Sequence, residues 1–147
     1  MQQFHLVILK KPYLDAILAG RKTVESRFMK AKCGPFGKVA QGDKLFLKIS
    51  SGPVCATAVV AEIKNFENLT PQKITDIKKQ YNHLVCGGDD YWQSKMDSGC
   101  GFLALLENVR EISPVCIDKK DWRAWVVLTK ENDFGLFKIQ TPGKTGG

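Results

Sequence analysis

The chain has 147 residues, of which 44% are hydrophobic and 25% charged, a composition typical of one globular domain and too short for two. It has no run of about 18 apolar residues, and its start, Met1 to His5, lacks the regions of a secretory signal, so we expect a cytoplasmic protein that does not span a membrane. The net charge of +7 favours a polyanionic partner, although lysines that only maintain solubility would give the same surplus.

The first part of the chain predicts a strand, a helix and a second strand that carries charge. Residues 6–9 are an apolar run typical of a buried strand, and the apolar residues of 12–18 recur at helical spacing after Pro12, which suits a first helical turn. Gly20 takes positive φ without strain and is expected to end the helix. The following side chains lie two apart, so a strand presents them on one face: Thr23, Glu25 and Arg27.

The middle of the chain predicts a loop and two strands. Residues 30–43 are rich in Gly and Lys and indicate a loop, which could carry basic side chains to a phosphate or serve as a plain linker. Residues 44–49 alternate as a strand does, and residues 54–63 are apolar on both faces, which is typical of a central strand. Cys55 falls inside this apolar pattern and is expected in the core.

The second half predicts two helices and further strands. Thr70 is a good N-cap and Pro71 a good first helical residue, and the pair Gly87–Gly88 separates this helix from a short one over 89–96. Later segments with strand character are 102–112, 122–128 and 134–139. Five or six strands with short helices predict an α+β fold around a small, partly open barrel.

Metal and cofactor chemistry is not expected. The five cysteines are scattered without a C-x-x-C pair, and the two histidines, His5 and His83, are far apart in sequence. Structural zinc needs closely spaced ligands, so we expect no metal, and the odd cysteine count without a signal fits reduced thiols. Residues 143–145 mimic part of a phosphate-binding loop but lack its upstream glycine and following helix.

The segment from Gly20 to Arg27 carries a family signature. It has the form Gly-x-Lys-x-x-Glu-x-Arg and follows Lys11-Pro12-Tyr13, which together resemble the diagnostic stretch of the ASCH domains, relatives of the PUA-like β-barrels. A weaker likeness is the glycine turn that enters an apolar strand at 98–105. The resemblance spans residues 4 to about 128 and implies a small PUA-like β-barrel of five to six strands with short flanking helices. From the sequence itself we expect a single domain over 1–140 followed by a flexible tail over 141–147.

The signature places one carboxylate between two cations. Glu25 should be ionised, because the neighbouring charges of Lys22 and Arg27 lower the pKa of a carboxyl group. Such a group can hold a base edge, a phosphate or a polar transition state, or it can form an internal salt-bridge cluster that fixes the strand to the helix. The resemblance implies that these side chains line a cleft beside the barrel.

Some bacterial ASCH proteins are amidohydrolases that act on acylated cytidine, and the resemblance allows a test of that activity. Their site resembles a Lys, a Thr three residues later and a distant Glu. Lys22 matches the Lys, but Glu25 stands at the Thr position, and Thr23 is only one residue from Lys22. Covalent catalysis by that route therefore lacks its hydroxyl, while Glu25 as a general base on water stays open. Other ASCH members are thought to bind RNA or DNA, or to cut RNA.

Aromatic side chains are a second resource for binding bases. The rings of Tyr and Trp stack on bases, and each stacked base contributes about 1–3 kcal/mol to the binding free energy. Trp92 is expected to be an exposed stacking residue because it lies in a polar stretch, and Tyr13 comes next because it precedes the signature helix. Tyr91 is a further candidate, whereas Trp122 and Trp125 are expected to pack the barrel.

The sequence therefore favours a protein that binds RNA or another single-stranded nucleic acid, or a nucleotide-like small molecule, through a basic cleft beside the signature. The alternatives are a hydrolase acting on a modified nucleoside or on RNA, with Lys22 and Glu25 as its catalytic residues, and a protein-interaction module. The sequence does not choose an oligomeric state. The expected ligand-binding residues are Lys11, Tyr13, Lys22, Thr23, Glu25, Arg27 and Trp92.

Overall fold

A computed structural model describes residues 2–119 and 123–139. Six strands and three α-helices follow in the order β1, α1, β2, β3, β4, α2, α3, β5, β6. The strands are β1 (Phe4–Leu9), β2 (Val24–Met29), β3 (Lys44–Ile49), β4 (Val54–Phe66), β5 (Cys100–Val115) and β6 (Trp125–Val127). The helices are α1 (Lys11–Leu18), α2 (Pro71–Val85) and α3 (Asp89–Ser94), with a 3-10 turn at Leu136–Lys138.

The strands form one curled sheet, a half-barrel, in the order β2-β5-β4-β3-β1-β6. Only β1 and β3 pair in parallel among these neighbours. The long strands β4 and β5 shift register at three places, and such bulges bend a strand and increase its twist. The α+β fold expected from the sequence, a small open barrel with short helices, is confirmed.

The core lies on both faces of this sheet. One cluster fills the concave side with alternating residues of the central strands and the apolar face of α1, including Leu14, Ile17 and Phe102. A second cluster packs α2 and α3 against β2 through Ile74 and Trp92. The helices α2 and α3 therefore pack against β2, the strand that carries the charged part of the signature.

The helix boundaries follow the local chemistry of the chain. Gly20 has φ of 81° directly after α1, as its position predicts. Thr70 caps α2, because its side chain accepts a hydrogen bond from the backbone N–H of Lys73 at 3.2 Å. Cys86 ends α2 in a left-handed conformation, with φ of 61°. This reversal turns the chain toward α3 and brings both helices to the same side of β2.

The predictions for the C-terminal part need correction. The strand expected over 134–139 is wrong: Phe134 and Gly135 have positive φ, which interrupts an extended path, and a 3-10 turn follows. The segment expected over 122–128 contains only the short strand β6. Trp122 and the predicted tail 141–147 lie outside the described residues. None of the helices in the described part of the chain is long and apolar enough to cross a membrane.

Candidate nucleic-acid interface

A cleft of about 830 Å³ opens where β1, β2 and α3 approach one another; we call it the motif cleft. Its walls include the aromatic rings of Tyr13, Tyr91 and Trp125, and its floor holds the charged side chains of the signature. Among the described residues, its cationic lining is Lys10, Lys22, Arg27, Lys95 and Arg123, and its carboxylates are Glu25 and Asp90. The cleft therefore combines stacking surfaces with a surplus of positive charge.

The local fold delivers the signature side chains to this cleft. After Gly20, the backbone N–H of Lys22 donates to the carbonyl of Ala16 at 3.1 Å, which folds the turn back onto α1. Strand β2 then alternates, so Glu25 and Arg27 share a face. The convergence of these charged side chains on a concave surface with Tyr13 nearby is confirmed.

The ammonium group of Lys22 is buried and fully engaged. Its Nζ donates to the carbonyl oxygens of Val24 and Val85, both at 2.7 Å, and lies 3.1 Å from Oε1 of Glu25. An ammonium group has three N–H donors, so these contacts use all of them. Lys22 thus joins β2 to the last turn of α2.

Glu25 and Arg27 form a close ion pair beside it. Oε2 of Glu25 lies 2.8 Å from Nε and 2.6 Å from Nη2 of Arg27, so one carboxylate oxygen accepts from both nitrogens. Arg27 also donates from Nη2 to the carbonyl of Ile8 at 3.1 Å and from Nη1 to that of Ala124 at 3.4 Å. We call Lys22, Glu25 and Arg27 the floor cluster; it connects β2 to β1 and to the start of β6.

The floor cluster keeps Glu25 ionised. Burial alone favours the neutral carboxyl and raises its pKa, but the charges of Arg27 and Lys22, and their hydrogen bonds, together outweigh burial. The pKa of Glu25 is therefore below its ordinary value. This agrees with the ionised state expected from the sequence.

Aromatic rings and hydroxyl groups form the walls. The guanidinium of Arg27 lies 5.4 Å from the ring centre of Trp125, and Nζ of Lys22 lies 5.5 Å from that of Tyr13, both within the range of cation–π attraction. The hydroxyls of Ser26 and Tyr91 are 2.6 Å apart. Burial raises the pKa of Tyr91, so its phenol stays protonated, and its O–H donates to the carbonyl oxygen of Ser26 at 3.3 Å.

A buried network holds Trp125 from behind. Its indole N–H donates to Nδ1 of His5 at 3.1 Å, so Nδ1 carries no proton and we assign the proton to Nε2. Nε2 then donates to Oδ2 of Asp43 at 2.8 Å. Burial lowers the pKa of His5, outweighing the hydrogen bond and charge of Asp43, which raise it. A neutral histidine thus orients one wall of the motif cleft.

Two of the expected site residues lie away from the cleft. Lys11 is exposed and pairs with Asp15 on its own helix at 2.8 Å, and it is absent from the cleft lining, where Lys10 stands instead. Thr23 is half-buried and also absent from the lining, while its carbonyl accepts the backbone N–H of Leu106.

The expected exposure of Trp92 is wrong. Its side chain is completely buried, and its indole N–H donates to Oδ1 of Asn82 at 2.9 Å. The short helix α3 turns Trp92 inward against Phe28, whereas Tyr91, one residue earlier, lines the cleft. The polar neighbours of Trp92 in sequence occupy the other faces of the same helix turn, which composition alone does not reveal.

Several lining residues were not predicted from the sequence, among them Ser26, Lys95 and Trp125. Ser26 gave no signal because a serine between charged residues is common on a surface. Lys95 gave no signal either, because a lysine at the end of a short polar helix is common on a surface. Trp125 packs the barrel as expected, with 5% of its surface exposed, yet the same ring also lines the cleft.

None of the lysines in the 30–43 loop lines the cleft. Lys30 pairs with Asp97 and Lys32 with Glu67, so both are engaged in surface ion pairs. Residues 33–35 of this loop line the cleft. Cys55, expected in the core, is partly buried and packs against the core cluster that contains Leu14 and Phe102.

In the described ranges, no group of three His, Cys, Asp or Glu side chains is placed to hold a metal ion.

Comparison with known proteins agrees with this architecture. The family model of the ASCH domain matches residues 7–131 of the sequence. The chain therefore belongs to the ASCH domain family. No curated protein matches the chain.

Solved structures extend the match to the fold. The ASCH protein of Zymomonas mobilis has 15% sequence identity and a TM-score of 0.70, with 94% of this chain and 96% of that chain covered. A serine-to-alanine mutant of that protein gives a TM-score of 0.72 at 15% identity and covers 95% of this chain and 98% of its own. A tyrosine-to-phenylalanine mutant gives 0.71 at 14% identity, covering 95% and 100%. At such identities the likeness concerns the fold.

Proposed function

We propose that this protein binds single-stranded RNA and that one or two bases enter the motif cleft. The observation that carries the proposal is a cleft of about 830 Å³ with walls of Tyr13, Tyr91 and Trp125 above a charged floor. This volume is of the size that holds small ligands, and aromatic walls stack on bases of any sequence. Single-stranded RNA exposes its bases for such insertion, whereas a duplex does not.

The charge of the molecule supports the same ligand. The net charge is +7, and the cationic side chains of the cleft outnumber its carboxylates. Phosphate contacts supply affinity and fix the position of a strand, while contacts to base edges supply preference. Ser26 and Tyr91 both line the cleft, and we assign the base contacts to their hydroxyls.

The floor cluster argues against the hydrolase alternative with Glu25 as general base. Both oxygens of Glu25 accept from cations, and its pKa is lowered. An efficient general base has a pKa near the working pH and a free lone pair for the proton. Lys22, the other candidate, has no N–H left for a substrate.

The test is fluorescence anisotropy of a labelled single-stranded RNA across a salt series. We expect a Kd that is micromolar or weaker at physiological salt, with log K falling linearly against log salt. Single-stranded DNA and duplex RNA of the same sequence serve as comparison ligands. Absence of binding at low salt would refute the proposal, and equal affinity for the duplex would remove the argument for base insertion.

A substitution of Tyr13, in the wall of the motif cleft, tests whether RNA binds at this cleft. Tyr13→Leu keeps apolar volume against the core but removes the ring, so RNA affinity should fall about tenfold, the lower end of the loss of one stacking contact. Tyr81→Leu is the matched control, because Tyr81 is also partly buried but belongs to the cluster under α2 and does not line the cleft. Equal affinities for the two variants would place the RNA elsewhere.

A further inference from the structure

The cations of the motif cleft differ in how many of their N–H groups are already engaged. Lys22 uses all three donors on Val24, Val85 and Glu25. Arg27 directs its guanidinium to Glu25 and to two backbone carbonyls. These two signature residues therefore offer a ligand positive charge but few donors.

The ammonium group of Lys95, by contrast, has N–H donors that no described residue engages. Lys95 follows α3 directly, where its backbone N–H donates to Trp92 and its carbonyl accepts from Ser98, each at 3.0 Å. Its Nζ lies 5.4 Å from the ring centre of Tyr91, one helical turn earlier. Within residues 2–119 and 123–139, this ammonium has no hydrogen-bond acceptor and no ion-pair partner. A well-anchored backbone thus presents an ammonium group with three free donors in the cleft.

The surroundings of Lys95 favour an anion. Burial lowers its pKa, and the positive charge of Arg27 lowers it further, while Asp97 acts in the opposite direction. Asp97 is itself paired with Lys30 at 3.1 Å. Two cations in one partly buried cleft repel each other, and a phosphate between them would turn that repulsion into two attractions.

We propose that Lys95, supported by the charge of Arg27, forms a phosphate subsite for the nucleotide whose base lies between the aromatic walls of the motif cleft. The inference rests on the proposed function and makes it more specific. The ligand unit becomes a nucleoside monophosphate within the RNA, and the residue that holds its phosphate lies outside the family signature. None of the three lysines of the 30–43 loop lines the cleft, and Lys30 and Lys32 are paired with carboxylates.

The experiment compares nucleosides with nucleoside 3′- and 5′-monophosphates, and with inorganic phosphate, in NMR titrations of the isotope-labelled protein. One of the two monophosphate series should bind at least about tenfold more tightly than the parent nucleoside, because hydrogen bonds to charged groups are among the strongest in proteins. Lys95→Met should reduce this ratio to near one without weakening the nucleoside. Lys95→Arg should retain it.

Lys79→Met is the matched control. Lys79 is exposed on α2, does not line the cleft, and its loss lowers the net charge by the same amount. The ratio should survive in this variant. If it survives in Lys95→Met as well, the phosphate lies elsewhere and the subsite is refuted, while base binding stands. If inorganic phosphate perturbs Lys95 but neither nucleosides nor single-stranded RNA bind, the proposed function fails and the anion site remains. If no probe binds, both proposals fail.

Discussion

The floor and one wall of the motif cleft contain the same kinds of side chain in opposite situations. In the floor cluster, Lys22 and Glu25 are buried and Arg27 is half-buried, and the three ions neutralise one another through short contacts. On the α3 side, Lys95 has an aromatic partner in Tyr91 but no carboxylate. The signature side chains of this protein thus hold its fold together, whereas in our proposal a contact to the ligand's phosphate comes from a residue outside the signature.

Removing the charge of Glu25 should produce the largest effect on stability. Glu25→Gln leaves the buried Lys22 and the half-buried Arg27 without their carboxylate, and breaking a buried ion pair costs about 3–5 kcal/mol. Urea denaturation measures the free energy of unfolding. At a temperature where the variant is folded, its affinity for RNA should equal or slightly exceed that of the wild type, because one negative charge has been removed from the cleft.

Glu62→Gln is the control for this prediction. Glu62 pairs with Lys64 on the surface, with 54% of the Glu62 side chain exposed, and such pairs contribute little. The free energy of unfolding should stay close to that of the wild type. If Glu25→Gln has the same free energy of unfolding as Glu62→Gln, the floor cluster does not hold β1, β2 and α2 together.

A smaller effect is expected from pH through His5. Its pKa is lowered in the folded protein from an ordinary value of 6.5, so the unfolded chain takes up the proton first as the pH falls. This contribution to stability is complete above pH 6.5 and is lost below it, by at most about 1.4 kcal/mol per pH unit. Glu25, whose pKa is lowered from 4.5, adds a second loss at more acidic pH.

Urea denaturation from neutral pH down to about pH 5 separates the two histidines. His5→Gln should flatten the slope in this range, whereas His83→Gln should leave it unchanged, because His83 is exposed at the end of α2. A slope that persists in His5→Gln would contradict the assignment of His5 as a buried neutral group.

The smallest effect on stability is expected on the α3 wall. Lys95→Met removes a charge that has no partner carboxylate and keeps the contact with Tyr91, so the free energy of unfolding should change by less than about 0.5 kcal/mol. Thermal denaturation of this variant beside Glu25→Gln measures the contrast. If Lys95→Met loses as much free energy of unfolding as Glu25→Gln, Lys95 has a structural role.

The sequence predicted the elements whose signals are local. The glycine stop after α1, the cap of α2, and strand β3 with its exact bounds follow from single residues or strict alternation. The convergence of Glu25 and Arg27 followed from the two-residue period of a strand. These features need no information from distant parts of the chain.

The parts that sequence did not predict depend on tertiary contacts. Trp92 and Tyr91 are neighbours in sequence, and only the packing of α3 against β2 decides that the first is buried and the second lines the cleft. The complete engagement of Lys22 depends on the carbonyl of Val85, 63 residues away. The left-handed residues Phe134 and Gly135 likewise replaced an expected strand by a turn.

Chemical-shift mapping of the labelled protein with single-stranded RNA tests the central claim most directly. We predict that the largest backbone perturbations fall on Gly87, Gly88 and Lys95, which line the motif cleft, and that they decrease as salt is added. Perturbations centred instead on the exposed end of β5, or none at low salt, would contradict the claim that this cleft receives the RNA.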